Sequence, residues 1–481
     1  MQNSKLFING KWVEAQHKEY MNVISPVSGK SLGKVSKAAA ADVKKAVEAA
    51  KMAEEKWRFS HHTERSKLLY KVAKIMEDRL EEFARHVCLE QGKPISDARI
   101  EIQGCVDYFK GTAEDIKRLE TAVIPSVDPN KRVFTMREPL GVFGVITPWN
   151  FPFDIPCFIL SSALAAGNSV VFKPAEQTPL CGAKIVECLD QAGFPPGVVN
   201  LVQGPGETTG EAMSSSEDID AIAFTGSIET GRKIAANAGS TIKTLLFELG
   251  GNGPIMILDD ANLAKAIEGV SISCFMNSGQ VCNSGERILV AESIHDRLVK
   301  GVTESASKLK LGNPLQEDTN MGPLIDESLA QKVDKHISDA KRLGAKVEFG
   351  GKRAKGFPTD LYYMPTILSN VTPRMLISRE ETFGPVCPIL KCCSVDEMLK
   401  IANSTEYGLM SSVYCSNMRD AFYVAERIKT GTVAINTPSI YWEGRLPWGG
   451  MNKSGIGRQG GIYSLLAMTQ LKTVIMDVTS S

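Results

Sequence analysis

The 481-residue sequence has no net charge, no long apolar segment and no targeting signal. Lys+Arg and Asp+Glu each total 55, so the composition suggests neither a nucleic-acid nor an anionic-membrane partner. No apolar run reaches the roughly 18 residues that span a bilayer, and residues 1–5 lack the apolar core of a signal peptide. We therefore predict a cytoplasmic protein.

The sequence is also poor in metal-ligand and disulfide patterns. Its six histidines include no pair at metal-binding spacing, so we predict no metal site. Its 11 cysteines are too sparse and odd in number for a disulfide scaffold, which favours a reduced compartment with mostly buried free thiols. The adjacent pair Cys392-Cys393 lies in a strand-like segment, where packing is the simpler interpretation and a redox or metal role the alternative.

What the sequence does contain is a long alternation of helix and strand patterns. Its length favours two or three domains, and amphipathic periodicity predicts helices over 41–57, 63–91 and 96–119. From Gly141, short apolar strands alternate with helices, which predicts parallel βαβ units with a nucleotide site at the carboxyl ends of the strands. The predicted strands are 142–146, 169–172, 198–202 and 221–224, and the predicted helices are 156–166, 180–192 and 230–238.

A second α/β region is predicted from about residue 252 to 444. Beyond it, residues 471–479 form a final strand pattern with no evident partner in its own region. Such a strand can pair with a distant segment or with another subunit.

A cysteine among small polar neighbours is the most informative chemical feature. Cys282 ends the stretch Asn277-Ser278-Gly279-Gln280-Val281-Cys282, and Glu248 precedes it in Phe247-Glu248-Leu249-Gly250-Gly251. A thiol nucleophile and a carboxylate base are together what covalent oxidation of an aldehyde requires. A cysteine alone is more often a small buried residue.

Four segments contain groups that can bind a nucleotide or an oxyanion. Thr225-Gly226-Ser227 joins a strand end to a helix start, which favours a phosphate. Gly204–Gly210 matches the dinucleotide fingerprint only weakly and is equally consistent with a plain loop. Lys173 and Glu176 follow a strand, where they can bind ribose hydroxyls or form an ordinary salt bridge. Asn150 lies between two prolines, where a fixed amide can stabilise an oxyanion or simply belong to a turn.

Seven segments, in order along essentially the whole chain, resemble those of the NAD(P)-dependent aldehyde dehydrogenases. They are Pro148-Trp149-Asn150-Phe151-Pro152, Lys173-Pro174-Ala175-Glu176, Phe224-Thr225-Gly226-Ser227, Glu248-Leu249-Gly250-Gly251, Gly279-Gln280-Val281-Cys282, Glu381-Thr382-Phe383-Gly384-Pro385 and Pro447-Trp448-Gly449-Gly450. The resemblance implies an α/β aldehyde dehydrogenase-like fold with three parts, assembled as a homodimer or homotetramer. The three parts of the fold are a Rossmann-type NAD(P)-binding domain (1–120 and 141–251), an α/β catalytic domain (252–444) and a β oligomerisation arm (121–140 and 462–481).

The resemblance also implies a role for each matching residue. Cys282 attacks the aldehyde, Asn150 and the Cys282 N–H hold the oxyanion of the thiohemiacetal, and Glu248 activates the water that hydrolyses the thioester. A CoA-acylating relative would normally lack that glutamate, and a non-catalytic relative would be expected to lose the cysteine. The implied cofactor is NAD, with NADP as the alternative, because Glu176 would repel a 2′-phosphate. The implied cofactor contacts are Ile146, Thr147, Trp149, Lys173, Glu176, Gly206, Thr225, Gly226, Ser227, Leu249, Glu381 and Phe383.

The residues expected to bind substrate give conflicting signals. Phe158 occupies a position that carries arginine in succinate-semialdehyde dehydrogenases, and Asp154 would repel an anion. Asn283 resembles the residue that lactaldehyde- and glycolaldehyde-oxidising members have there, whereas Arg445 could recruit an anionic tail. We predict a small neutral hydroxyaldehyde such as lactaldehyde, with aromatic, aliphatic or succinate-semialdehyde substrates as alternatives. The residues expected to narrow the pocket are Phe153, Phe158, Tyr441 and Trp442.

Overall fold

A computed structural model describes residues 2–479 of the chain. Its first large sheet has eight strands, of which the middle five run parallel, as the alternating pattern predicts. Every residue of Val142–Ile146 and of Ser169–Lys173 is buried, because helices cover both faces of a parallel sheet. The strands in spatial order are Gly455–Ile456, Thr244–Leu249, Ala221–Gly226, Val142–Ile146, Ser169–Lys173, Val199–Leu201, Leu6–Ile8 and Lys11–Val13.

The helices that belong with this sheet confirm most of the predicted ones. The helix predicted over 63–91 is wrong in one respect, since it is two helices separated at Arg79, whose backbone leaves the helical region (φ −109°, ψ 15°). The Arg79 guanidinium binds Glu82 and lies 4.4 Å from the Phe83 ring centre, so Arg79 is anchored to the second of the two helices. The helices are Ala40–Trp57, His62–Asp78, Leu80–Glu90, Ile95–Asp115, Asp154–Ala166, Pro179–Ala192, Glu211–Ser215 and Ile228–Gly239, with the shorter turns Ile116–Arg118 and Gly206–Gly210.

The second large sheet lies within the α/β region predicted from about residue 252 to 444. It has seven strands, all parallel to their neighbours except the edge pair Lys346–Phe349 and Thr366–Ser369. In spatial order the strands are Lys346–Phe349, Thr366–Ser369, Val386–Cys392, Arg287–Ala291, Pro254–Ile257, Met410–Tyr414 and Thr432–Ile435. The helices are Leu263–Phe275, His295–Ser307, Glu327–Arg342, Val395–Ala402 and Met418–Arg427, with the single turns Met276–Gly279, Glu292–Ile294, Leu376–Ser378 and Asn452–Ser454.

The C-terminal strand finds its partner in a distant part of the chain. Thr469–Asp477 pairs antiparallel with Lys131–Pro139, which also pairs with Val123–Ile124, and the helix Ile462–Ala467 precedes it. The other edge of Thr469–Asp477 pairs with no strand of residues 2–479. A separate three-stranded sheet joins Gln2–Ser4, Ser31–Ser36 and Tyr20–Ile24 near the N-terminus. The helices within 2–479 include none with the length and apolar character needed to cross a membrane.

The cysteines behave as the composition predicts. All 11 are free thiols in the described part of the chain, and only Cys282 and Cys393 are not buried. Cys392 ends a strand with its side chain in the core, and Cys393 follows it on the surface.

Candidate active site

Two cavities meet at Cys282. Strands Val142–Ile146, Ala221–Gly226 and Thr244–Leu249 end at the same edge of the first sheet, and the residues after them line a cavity of about 380 Å³. A second cavity of about 800 Å³ lies beyond it. Cys282 and Glu248 line both cavities, so a ligand in either one can reach the thiol and the carboxylate.

The environments of Glu248 and Cys282 favour their neutral forms. Burial raises the pKa of Glu248 to about 7, against the opposing influence of the neighbouring Cys282 thiol and Trp448 indole. Burial, together with the nearby negative charge of Glu248, holds the pKa of the Cys282 thiol well above its usual range. Glu248 therefore gains and loses a proton near neutral pH beside a protonated thiol, as a general base should.

Asn150 projects from the turn after strand Val142–Ile146 and is almost completely buried (3% exposed). Its side-chain Nδ2 donates a hydrogen bond to the Gln280 carbonyl oxygen at 3.1 Å, two residues before Cys282. The amide carries two hydrogens, so the second remains available to a ligand. The structure thus brings Asn150, Glu248 and Cys282 together, although they are far apart in the sequence.

The smaller cavity has the groups that a dinucleotide requires. Ser227 caps the helix Ile228–Gly239, accepting the Thr230 N–H at 3.2 Å, and the remaining N–H groups of this helix start lie beside the cavity. The Thr147 hydroxyl is buried without a partner among the described residues. Ile146 and Leu249 are the last residues of their strands, so they lie at the same edge. These residues fit a phosphate-bearing ligand at the carboxyl edge of a parallel sheet.

Two carboxylates on the cofactor side differ in their surroundings. Glu176 lies at the surface with its Oε1 3.1 Å from the Nζ of the buried Lys173, and Gly206 lies beside it. Glu381 lines the smaller cavity, where its Oε1 accepts the Gly251 N–H at 2.8 Å and burial raises its pKa to about 8. Next to it, Phe383 packs edge-on against Trp149, with ring centres 5.5 Å apart.

The larger cavity contains most, but not all, of the residues predicted to bind substrate. Asp154, Phe158, Asn283, Trp442 and Arg445 line it. The prediction for Phe153 is wrong, because its side chain is fully buried in the core against Phe83, with ring centres 5.1 Å apart. The prediction for Tyr441 is also wrong. Its side chain is exposed and its hydroxyl binds Glu443, so it does not narrow the cavity.

Aromatic rings form one wall of this cavity. Phe158 lies 5.1 Å from Tyr108 and 5.5 Å from Trp442, and Trp442 lies 4.9 Å from Trp448. The Trp442 indole N–H donates to the Tyr108 hydroxyl at 2.8 Å, which fixes both side chains. Tyr108 belongs to helix Ile95–Asp115, whose contribution the sequence analysis missed. The signal was the helical spacing of Gly104, Tyr108, Gly111 and Asp115, all of which line the cavity.

Two polar side chains of the cavity differ from their predicted behaviour. The Asn283 amide nitrogen donates to the Ser439 carbonyl oxygen at 2.9 Å and to the Met410 sulfur at 3.9 Å, which leaves its carbonyl oxygen as the atom that can face a ligand. Burial, reinforced by the negative charge of Glu101, raises the pKa of Asp154 to about 7. Asp154 is therefore only partly charged at neutral pH, and its repulsion of anions strengthens as the pH rises.

The lining of the larger cavity as a whole is nevertheless acidic. Glu101 is paired with the buried Lys93, but most of the lining carboxylates have no such buried partner. The cations that line the cavity are Lys110 and Arg445, and Lys110 is paired with Glu77. The lining carboxylates, Glu248 apart, are Asp97, Glu101, Asp107, Glu114, Asp115, Asp154 and Glu443.

Away from these cavities, His86, Glu90 and Cys181 place possible metal-ligand atoms within 4.8 Å of one another. Both Glu90 oxygens already accept N–H groups at 2.8 Å, from Leu180 and Cys181 at the start of helix Pro179–Ala192. The positive end of a helix is unfavourable for a cation. We assign Glu90 as the cap of this helix.

Comparison with known proteins places this geometry in a family. Residues 12–474 match the model of the aldehyde dehydrogenase family. The chain is 38% identical over 472 residues to a glutarate-semialdehyde dehydrogenase of Pseudomonas putida, covering 98% of this chain and 97% of the relative. It is 37% identical over 473 residues to a betaine aldehyde dehydrogenase of Bacillus subtilis, covering 98% and 96%. The crystal structure of betaine aldehyde dehydrogenase from Staphylococcus aureus in complex with NAD+ superposes with a TM-score of 0.97 at 33% identity, covering 99% and 96%.

These matches confirm the predicted fold class, with its Rossmann-type and catalytic α/β sheets, and the predicted oxidoreductase class with an NAD(P) cofactor. They agree with the arrangement of a partly exposed thiol and a carboxylate beside the carboxyl edge of a parallel sheet. The chain belongs to the aldehyde dehydrogenase family.

Proposed function

We propose that this enzyme oxidises small aldehydes without a negative charge to their carboxylic acids, using NAD, with hydroxyaldehydes such as lactaldehyde and glycolaldehyde as the preferred class. The observation that supports the chemistry is the position of Cys282 and Glu248 at the junction of the two cavities. The aldehyde enters from the larger cavity, and the smaller cavity holds the nicotinamide end of the cofactor.

Each of the three central residues has one task. The Cys282 sulfur adds to the aldehyde carbon, and the thiol proton leaves to solvent. The free N–H of Asn150 and the backbone N–H of Cys282 hold the oxyanion of the thiohemiacetal. NAD, when bound, accepts the hydride from that adduct. Glu248 then takes a proton from the water that attacks the thioester, so the product is the free acid rather than an acyl-CoA.

The cofactor is held along the carboxyl edge of the first sheet. Lys173 and Glu176 bind the adenosine ribose, and the helix start at Ser227 receives the pyrophosphate. Glu381 binds the nicotinamide ribose, with Phe383 beside the ring. The proposed preference for NAD rests on the Glu176 carboxylate beside Lys173, which would repel a 2′-phosphate.

The acidic lining of the larger cavity supports the substrate class. A negatively charged tail would meet Asp154 and the carboxylates of helix Ile95–Asp115, and Phe158 offers it no cation. The Asn283 carbonyl oxygen can accept a hydrogen bond from an α-hydroxyl group beside the reacting carbon. Burial raises the pKa of Asp115, and the positive charge of the nearby Arg445 opposes that rise, so part of the Arg445 charge is already balanced within the chain.

A second candidate substrate is an aldehyde with an ammonium group. The same carboxylates would attract a cation, and the faces of Phe158, Trp442 and Trp448 would stabilise it. One relative of the chain is named for betaine aldehyde, which carries such a group.

The test is kcat/KM with NAD for glycolaldehyde, lactaldehyde, propanal, benzaldehyde, 3-aminopropanal and succinate semialdehyde, each with and without CoA. We expect glycolaldehyde and lactaldehyde to exceed propanal, CoA to have no effect, and succinate semialdehyde to be the poorest. Preference for 3-aminopropanal would select the second candidate. Preference for succinate semialdehyde that disappears in Arg445→Gln would contradict both substrate assignments.

We also propose a homodimer or homotetramer that forms through the arm containing Lys131–Pro139 and Thr469–Asp477. The unpaired edge of the terminal strand and its exposed apolar side chains, including Leu471 and Ile475, support this assembly. A reducing compartment such as the cytoplasm suits an enzyme with a reactive thiol and 11 unpaired cysteines.

A further inference from the structure

Three consecutive residues before Cys282 have left-handed backbone conformations. The φ angles are 49° at Asn277, 57° at Ser278 and 74° at Gly279. Only glycine adopts this region without strain, although asparagine tolerates it better than most residues. A left-handed turn of this length persists only where its surroundings hold it.

The Asn277 side chain makes the contacts that hold this turn. It is 1% exposed, and its Nδ2 donates to the Asn150 carbonyl oxygen at 3.2 Å and to the Gln280 carbonyl oxygen at 3.3 Å. Its Oδ1 accepts a hydrogen bond from Gln91 Nε2 at 3.1 Å. The Gln280 carbonyl oxygen is also the acceptor of the Asn150 side chain. Asn277 therefore fixes both the backbone of Asn150 and the group that orients its amide.

Gln91 is itself held in place from outside the active site. It follows the helix Leu80–Glu90, is fully buried, and its Oε1 accepts the Lys93 N–H at 2.8 Å. Gln91 and Asn277 thus connect the end of this helix to Asn150, and neither of these two residues lines either cavity.

We infer that Asn277 is a positioning residue for the oxidation step: it sets the orientation of the Asn150 amide that receives the oxyanion, and Gln91 orients Asn277. This inference rests on the proposed role of Asn150. Because catalytic hydrogen bonds depend on geometry within fractions of an ångström, loss of Asn277 should slow acylation of Cys282 while NAD binding remains.

The test uses Asn277→Gly, which tolerates the left-handed backbone but lacks the amide. Ser278→Gly is the matched control, because Ser278 lies in the same turn and its hydroxyl donates only to the Gly322 carbonyl oxygen, at 2.8 Å. The readout is the rate of the NADH burst in the first turnover at saturating NAD, with NAD affinity and melting temperature measured alongside. We expect a burst about 10- to 100-fold slower in Asn277→Gly and one within about twofold of the unmodified rate in Ser278→Gly. Gln91→Leu, which acts from outside the turn, should slow the burst by a smaller factor.

A double variant separates positioning from general loss of structure. If Asn277 acts through Asn150, adding Asn277→Gly to Asn150→Ala should slow the burst little further. If the double variant slows the burst rate by the product of the two single effects, the inference is overturned. It is also overturned if the burst rate of Asn277→Gly equals that of Ser278→Gly while the burst of Asn150→Ala is slow. A normal burst in Asn150→Ala would instead remove the proposed role of Asn150, and the inference with it.

Discussion

The choice between NAD and NADP depends on the exposed carboxylate of Glu176. Its Oε1 lies 3.1 Å from Lys173 Nζ, and the pair follows the strand Ser169–Lys173 at the edge where the adenosine ribose is expected. Glu176→Gln keeps a side chain that can hydrogen-bond a ribose hydroxyl but removes the negative charge. We expect kcat/KM for NAD to change little and kcat/KM for NADP to rise.

The size of that rise follows from the surroundings of the pair. A phosphate with about two negative charges, some 6 Å from one carboxylate in a partly solvated site, is repelled by about 2–3 kcal/mol. Lys173 offsets part of this repulsion, and salt screens an exposed group. We therefore expect a net change of about 1–2 kcal/mol, which corresponds to a roughly 5- to 30-fold fall in the NAD/NADP preference.

The measurement is kcat/KM for both cofactors, at one aldehyde concentration, in the unmodified enzyme and in Glu176→Gln. Glu187→Gln is the matched control, since Glu187 lies on the following helix but faces Arg79 at 3.5 Å rather than Lys173. Raising the salt concentration should shrink the difference between cofactors in the unmodified enzyme. An NADP preference in that enzyme, or an unchanged ratio in Glu176→Gln, would refute the assignment of Glu176 to the 2′-hydroxyl.

Three further outcomes are expected. Glu248→Gln should retain a first-turnover burst of NADH but stall afterwards. In the unmodified enzyme, the turnover rate should rise with pH through about 7 as the Glu248 carboxylate forms. A Glu248→Gln variant whose turnover keeps this pH midpoint would contradict the assignment. Asp154→Asn should raise kcat/KM for succinate semialdehyde several-fold at pH 8. The rise should be smaller at pH 6, because Asp154 is already largely protonated there. An equal rise at both pH values would argue against charge repulsion. The pair Leu471→Glu and Ile475→Glu should shift sedimentation to a smaller species, whereas the equally exposed Met52→Glu should not.

The sequence was sufficient to predict the parts of the fold that repeat a simple pattern. Central strands of both large sheets, such as Val142–Ile146 and Pro254–Ile257, are fully buried runs that alternate with helices, and this alternation predicted parallel pairing. It could not reveal the break at Arg79, because the apolar periodicity continues across it. The residue pattern alone left the partner of the C-terminal strand open, since pairing with Lys131–Pro139 joins segments more than 300 residues apart, and only the family resemblance grouped 121–140 with 462–481.

In the candidate site, too, some features could be predicted from the sequence and others could not. Cys282, Glu248 and Asn150 were named from short motifs, and the structure brings them together. The prediction for Phe153 failed because its side chain points into the core, although its sequence neighbour Asp154 lines the cavity. That direction is set by packing against Phe83. The Asn283 amide nitrogen donates to the Ser439 carbonyl oxygen, and no local pattern at residue 283 indicates that contact.

The central claim is that the aldehyde becomes covalently attached to the Cys282 sulfur and that Glu248 releases it. The most direct test is mass spectrometry of Glu248→Gln, mixed with NAD and one aldehyde and quenched in acid after a single turnover. The account predicts one added acyl group, with the mass of the aldehyde less two hydrogens, on the peptide that contains Cys282. The double variant Cys282→Ala/Glu248→Gln should show no such mass. An unmodified Cys282 peptide despite NADH formation, or an acyl group on another cysteine such as the exposed Cys393, would contradict it.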